Sequence, residues 1–430
     1  MKPRENRRSV KPSPRWAAAV VGTIAALGLA ACGSSSSNSS ASVTSTSCGN
    51  GFQGSVTIGL IGPLTGVRAN AGQGAVSGAT KAVNVINANG GVLCKKVNLV
   101  TQDDASDPGD AISAAESEIN SSHVVAFMGP PSATASVVET LADRAKIPEF
   151  MWGGGAAFDF NKDPYLFRVT PSDSEQAAAI IEYAKEKGWT HIAYATGNEP
   201  ADQSLLPSLQ QYAKKDGMTV TASETIDINQ TSYRSEIQRI YSTHPQVVIG
   251  QFAIPSAGVF FRELKQEGLN NIPFLGGNLW YAAEFTKAVS NAIASGPIYI
   301  LNPASGSGEG AFLKMLKSTT GRTTANNGEL EMWDAVTSWA LGAEEAHTVA
   351  SPQIEAGVVK AANGPGTDCS DFPTCMSLLK SGKAIDYQGA ASTTDYNQYH
   401  NVFGDFAVIH FNAEGVPQVL QTLPAKELSS

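Results

Sequence analysis

Six histidines (His123, His191, His244, His347, His400 and His410) are spread along 430 residues, and no two stand at metal-ligand spacing on one element. GxSxG, HExxH and CxxC are all missing, so none of the compact signatures of a serine hydrolase, a zinc peptidase or a thiol-redox protein is present. A triad dispersed through the fold would leave no such signature, so these absences weigh against an enzyme without excluding one. The nearest approach to a cofactor motif is Gly72-Gln73-Gly74 followed by Gly78. It is one residue off the dinucleotide fingerprint and lies past its strand, as a loop and helix start needing small residues would. No metal or cofactor is expected. Basic side chains are also in short supply, 30 against 39 acidic. That balance argues against nucleic acid and against docking on anionic lipid. Beyond the first thirty residues no apolar run is long enough to span a bilayer.

The basic residues that do occur cluster at the start. Lys2, Arg4, Arg7, Arg8, Lys11 and Arg15 face the single acid Glu5, and an Ala- and Val-rich apolar run follows from Trp16 to Leu29. A basic segment before a short hydrophobic stretch reads as a secretory signal. It ends in Leu29-Ala30-Ala31-Cys32-Gly33, which resembles the bacterial lipobox: small residues at the cleavage point, then a cysteine for thioether acylation. Cys32 is therefore the expected lipidation site. Loss of residues 1–31 leaves 24 basic and 38 acidic side chains, a net charge of −14, so the anchoring falls to the lipid. A Ser/Thr-rich tract follows Cys32 and cannot bury enough apolar surface to fold, so 32–53 is read as a tether.

Four further cysteines remain, Cys48, Cys94, Cys369 and Cys375. An even number in an exported protein suggests two disulfides. Cys369 and Cys375 share one short loop and pair most easily, which leaves Cys48 with Cys94; three connectivities exist in principle.

From residue 55 onward, short β-rich runs alternate with amphipathic helical stretches. Strands are predicted at 56–61, 97–100 and 124–128, with helices at 111–119, 134–145 and one carrying Val76, Ala79, Val83 and Ile86. After Arg168-Val169-Thr170-Pro171 the alternation restarts. Helices at 174–187, 202–215, 232–242 and 256–267 interleave with strands at 191–196, 218–226, 247–249 and 273–275. Two α/β modules of similar size imply two lobes, each with a parallel sheet covered on both faces. From Tyr299 on, helices near 310–318 and 329–346, a Gly/Pro-rich loop and a strand at 405–411 complete both lobes.

Loops at the carboxyl ends of the strands are where such sheets bind ligands. Gly129-Pro130-Pro131-Ser132-Ala133-Thr134 runs from strand into helix, where free N–H groups favour an anion. Ser132 and Thr134 read equally as hydroxyl donors to that anion or as plain helix caps. Trp152-Gly153-Gly154-Gly155 follows another strand, and its glycines permit close backbone approach to a ligand or a tight turn. Ser172-Asp173-Ser174-Glu175 reads as a capping box.

The segment 56–65, Gly90-Gly91, Gln102-Asp103-Asp104-Ala105-Ser106-Asp107-Pro108, the segments 126–129, 168–176 and 232–277 together resemble the type I periplasmic binding proteins that serve branched-chain amino-acid ABC importers. The likeness covers most of 55–301. It implies an α/β Venus-flytrap fold with three hinge crossings, a ligand closed between the lobes and delivery to an ABC permease. By that likeness, 54–171 with about 301–390 form the first lobe, and 172–300 with about 391–430 the second. The family's carboxylate-binding serine falls on Ser132, its backbone contacts on Gly153 and Gly155, and an acid near the ligand's amino group on Asp173.

The departures from the family bear on the cargo. The family's ammonium-binding glutamate falls on the neutral Asn278, a carboxylate-gripping threonine on Gly155, and aromatic walls on Ala71, Ala201 and Ala253. The family's usual disulfide positions hold Ser106 and Pro131. An ammonium left facing Asn278 lacks a charge partner. The three small residues enlarge the pocket unless Trp152, Phe252, Trp280 or Tyr281 fill it. The resulting expectation is a monomeric, lipid-anchored extracytoplasmic solute-binding protein for a small polar or amphipathic solute, amino-acid-like or a carboxylate or amide. A sensor that signals to a receptor and an extracytoplasmic hydrolase are the competing classes.

Overall fold

Val56, Ile58, Leu60 and Ile61 are all buried, so the first strand is covered on both faces and its sequence runs apolar rather than alternating. A computed structural model describes residues 48, 51–228, 230–349 and 353–424. Cys32 and the tract up to Ser47 lie outside them. Five parallel strands form one sheet: β1 (Ser55–Gly62), β2 (Lys96–Asp103), β3 (Phe127–Met128), β4 (Glu149–Met151) and β5 (Leu166–Arg168), in the order β2-β1-β3-β4-β5. Three helices intervene, α1 (Ala69–Ala88), α2 (Pro108–Ser117) and α3 (Ser132–Ala145). Asp107 caps α2 by accepting from the N–H groups of Gly109 and Asp110, with Pro108 in the first turn where its missing N–H costs nothing.

The chain then passes through α4 (Asp173–Glu186) into a second sheet. Its parallel strands are β6 (His191–Gly197), β7 (Thr219–Ile226), β8 (Val247–Ile249), β9 (Phe274–Gly276) and β10 (Ile298–Pro303). Beyond the small parallel pair β11 (Thr367–Cys369) and β12 (Ile385–Tyr387), an antiparallel edge of β13 (Phe406–Phe411) and β14 (Pro417–Leu423) completes this sheet. Its order is β14-β13-β10-β9-β8-β6-β7.

The cores record the crossings. Phe312, Leu316 and Met332, after β10, pack with Ile58 and Phe150 of the first sheet, whereas Phe406 and Val408 pack with Ile192 and Ile249 of the second. The chain therefore crosses between lobes three times, after β5, after β10 and before β13. Tyr396 and Val402 still belong to the first core, so the last crossing falls at 403–405, later than the expected 390. No helix among the described residues is long and apolar enough to cross a membrane.

Several elements left no periodic signal. β5 is three residues long, and its buried Arg168 disguises it. The region expected as a Gly/Pro-rich loop contains helices Gln353–Ala362 and Phe372–Lys380. In the second, Pro373 stands in the first turn and Asp371 caps it by accepting from the Thr374 N–H at 2.8 Å, so the proline starts the helix rather than breaking it. Disulfides join Cys48 to Cys94 and Cys369 to Cys375.

Candidate functional site

The loop after β3 turns through Gly129-Pro130-Pro131 and delivers Ser132 as the first residue of α3. No side chain caps this helix start. The N–H groups of Thr134 and Ala135 bond back to the Pro131 carbonyl, which leaves the Ser132 and Ala133 N–H groups at the positive end of the helix. The Ser132 hydroxyl accepts a 2.9 Å hydrogen bond from the Gly155 N–H. Its oxygen is thereby fixed, and its own proton remains to be donated elsewhere. Thr134 behaves differently: its hydroxyl donates to the buried Asp104 carboxylate at 2.7 Å, so it ties α3 to the β2 loop. Asp103 does the same for the β1 loop, accepting from the Leu64 N–H at 2.8 Å and the Thr65 hydroxyl at 2.6 Å. The two acids at the end of β2 are thus scaffolding, Asp104 for the start of α3 and Asp103 for the β1 loop.

The glycines after β4 are demanded by close approach. A Cβ on Gly153 would stand 2.0 Å from the Ser132 hydroxyl oxygen, and one on Gly154 would stand 2.2 Å from an Asp173 carboxylate oxygen. Asp173 itself donates its N–H to the Gly154 carbonyl at 2.6 Å. The structure therefore brings Ser132, Gly153, Gly155 and Asp173 together, from three stretches of chain. Beneath them Arg168 is buried, bonded to Asp159 at 2.9 Å and to the Gly155 carbonyl at 3.2 Å. Ser172 caps α4 as the sequence predicts, in a complete capping box with Glu175, and its hydroxyl donates to the same Asp159. Burial pushes the Asp173 carboxyl above its usual range, against a hydrogen bond from Ser204 and the nearby Arg168 and Arg68 charges.

A cavity of about 290 Å³ opens beside this cluster. On the first-lobe side it is lined by Ser132, Ala133 and Gly155 to Phe158; Ser204 and Pro207 of the second lobe close it. Ser204, in the turn between the helices Pro200–Gln203 and Leu206–Lys215, carried no signal in the sequence, because an isolated serine has no distinguishing pattern. A more open hollow of about 510 Å³, with Glu355, Asn363, Tyr396 and His400 in its wall, contains none of the expected site residues.

The second-lobe expectations fare less uniformly. Asn278 begins a short 3-10 turn and is half-buried. Its neighbour Gly277 lies against Gln251, with Gln176 close by, and no hydrogen bond among the described residues joins the Asn278 side chain to the Ser132 cluster. Phe252 and Trp280 must be corrected: both are fully buried, in an aromatic knot with Phe260, Phe261, Phe274 and Phe285. Their rings meet edge to face at 5.1 Å, and the Trp280 indole N–H donates to the Phe252 carbonyl at 2.8 Å. An aromatic after a strand is ambiguous in sequence between pocket and core, and here packing decides for the core. Trp152 is half-buried against the first-lobe core, beside the position of Gly328, while Tyr281 is exposed.

Residues 55–372 match the model of a family described as periplasmic binding protein. Among curated relatives, an amino acid binding protein from Pseudomonas aeruginosa is 24% identical over 220 residues, 50% of this chain and 58% of that protein. A Leu/Ile/Val-binding protein from Rhizobium johnstonii is 27% identical over 252 residues, 57% of this chain and 66% of that protein. The aligned part of the chain thus spans somewhat under two thirds of these relatives' length. Among solved structures, the substrate binding protein of a branched-chain amino acid transporter from Streptococcus pneumoniae, in complex with isoleucine, superposes with a TM-score of 0.71 at 19% identity, covering 86% of this chain and 99% of that one. A solute binding protein of an ABC transporter from R. palustris, in complex with benzoate, gives 0.69 at 18% identity, covering 86% and 97%. At these identities the structural likeness establishes the fold, two α/β lobes of the type I arrangement. With the family match spanning most of the folded body, this chain belongs to the periplasmic binding protein family.

Proposed function

We propose that the chain is the extracytoplasmic, solute-capturing component of an ABC importer, held at the membrane by a lipid on Cys32, and that it closes its lobes over a small solute bearing a carboxylate or an amide oxygen. The observation that carries this reading is the Ser132 hydroxyl. It is fixed as an acceptor by the Gly155 N–H, at the positive start of α3, on the wall of a cavity that Ser204 and Pro207 cover from the other lobe. A hydroxyl proton and two helix-terminal N–H groups converging on one space suit a solute oxygen that carries negative charge. Nothing in this arrangement supplies a nucleophile with an adjacent base; the free energy available is that of differential contact in the closed state. The relatives named above are binding proteins, which supports the same class. Solutes as different as isoleucine and benzoate occupy neighbours of this fold, so Ser132 speaks to the oxygen end of the cargo and leaves its other end to the second lobe.

A thermal-shift screen over amino acids, aromatic and aliphatic carboxylates and amides tests the proposal. A solute at a hundredfold its Kd adds about 2.7 kcal/mol of stability, enough to raise the melting temperature visibly. Ser132→Ala is expected to weaken that solute by about tenfold, the worth of one charge-assisted hydrogen bond. No shift with any small solute in the screen overturns the reading.

A further inference from the structure

By the family resemblance, the aromatic walls fall on Ala71, Ala201 and Ala253, residues that have no ring to present to a solute. A different device spans the lobes. Arg68, at the end of the short turn Gly66–Arg68 that follows β1, extends one terminal nitrogen to Glu199 at 3.2 Å and to Asp202 at 3.3 Å. Glu199 and Asp202 lie just after β6, and the short helix Pro200–Gln203 carries both Ala201 and Asp202. Every side-chain hydrogen bond of Arg68 among the described residues therefore crosses from the first lobe to the second. The pair is sheltered: the Asp202 side chain is fully buried, and those of Arg68 and Glu199 are 18% and 20% exposed. Gly197 is built to accept it, since a Cβ there would stand 2.1 Å from the second Asp202 oxygen.

We propose that Arg68 is the clasp of the closed state, fastening the lobes through Glu199 and Asp202 and so contributing to closure without reading the solute's side chain. This rests on the reading above that the lobes close over a ligand. Where aromatic walls would make closure depend on what the solute presents, this ion pair supplies the same increment whatever is enclosed. Parting the lobes breaks two charge-assisted bonds and returns the charges to water, so the net contribution is a fraction of the direct attraction. For a pair exposed to this degree, loss of Arg68 is expected to shift the closed-to-open ratio by about tenfold.

The test needs no ligand, so its failure is distinguishable from a failure of the binding reading. Hydrogen–deuterium exchange is followed on the full chain at low salt and in about 1 M salt, where the screening length drops to about 3 Å. In wild type, amides at 155–158 and 202–207, which border the cavity, are expected to exchange several-fold faster at high salt. Arg68→Ala is expected to show the fast rates at both salts, Arg68→Lys intermediate rates, and the milder Glu199→Gln a smaller acceleration in the same segments. Amides of β6 and β8 should keep their wild-type rates in all three variants. Unchanged rates at 155–158 and 202–207 in Arg68→Ala overturn the clasp. So does an acceleration spread through the sheets, which would mark Arg68 as a general stabilising residue; Glu199→Gln then decides independently through the same two segments.

Discussion

Both lobes wrap helices around a parallel sheet, yet they fill the space against the sheet differently. The second lobe is packed with rings: Phe252, Phe260, Phe261, Phe274, Trp280 and Phe285 touch one another, and its buried carboxylates have donors. Glu263 accepts from the Tyr233 N–H at 2.7 Å, Glu175 from the Ser172 N–H at 2.9 Å, and Asp202 from Arg68. The first lobe instead buries Glu118 and Glu149 with no hydrogen-bond partner on either oxygen. Glu118 lies directly against β1, where a Cβ on Gly59 would stand 1.7 Å from its carboxyl oxygen. Burial pushes the Glu118 carboxyl up to about 8, so at neutral pH it is held mostly as the neutral acid, and burial pushes the Glu149 carboxyl well above its usual range in the same direction. Burial raises carboxyls in both halves, Glu175 to about 7 and Asp202 to about 6 in the second lobe, but those two have donors, whereas Glu118 and Glu149 of the first lobe have none. It follows that the two halves should respond to different insults.

The sharpest break of this comparison is Trp280→Ala. It removes the centre of the aromatic knot and leaves the Phe252 carbonyl without its donor, so a loss of about 3–5 kcal/mol is expected. Urea denaturation followed by hydrogen exchange should show it confined to the second lobe. Comparable loss of protection in both lobes would mean that they do not have separable cores.

A smaller and opposite contrast comes from pH. The Glu118 carboxyl titrates near 4.5 when unfolded and near 8 when folded, so the native state holds the extra proton between those values. Its stabilising proton is fully in place below about 4.5, and stability is lost as pH rises toward and through about 8. From Glu118 a decline on the order of 3 kcal/mol between about pH 5 and pH 8 is expected, alongside smaller declines from Glu175 and Asp202 of the second lobe, which burial also raises. Glu118→Gln, which keeps the shape and cannot ionise, should flatten that slope and leave the second lobe's pH response alone. A slope unchanged in this variant would assign the pH dependence to other acids.

The mildest test concerns the cleft walls. The first-lobe wall offers donors at Ser132 and the start of α3, while Asn278, the second-lobe position expected from the resemblance to stand in for the family's glutamate, is half-buried. Asn278→Glu should improve α-amino acids by up to about tenfold and leave simple carboxylates unchanged, as read by titration calorimetry. Improvement of neither class would remove Asn278 from the ligand's surroundings.

Much of this was legible in the sequence because it depends on neighbours along the chain. The alternation that yields two α/β modules and the Ser172 capping box are both local, and periodicity and side-chain chemistry suffice to read them. β5 went unread because its Arg168 looks like a loop residue until the sheet encloses it. The site divides along the same line. Ser132 and the three glycines announce themselves by loop chemistry, but that Ser132 accepts from Gly155 rather than capping its own helix depends on two loops meeting in space.

By itself, then, the sequence determined the acidic, two-module character of the chain and marked the loops that meet around Ser132. Composition and local periodicity are one-dimensional properties, and each survives in any conformation. Tertiary structure alone decided which aromatics are core, which carboxyls must stay protonated and that Arg68 meets Glu199 and Asp202, more than 130 residues away in sequence. Burial and pairing depend on what the rest of the chain brings alongside, and no local pattern carries that information.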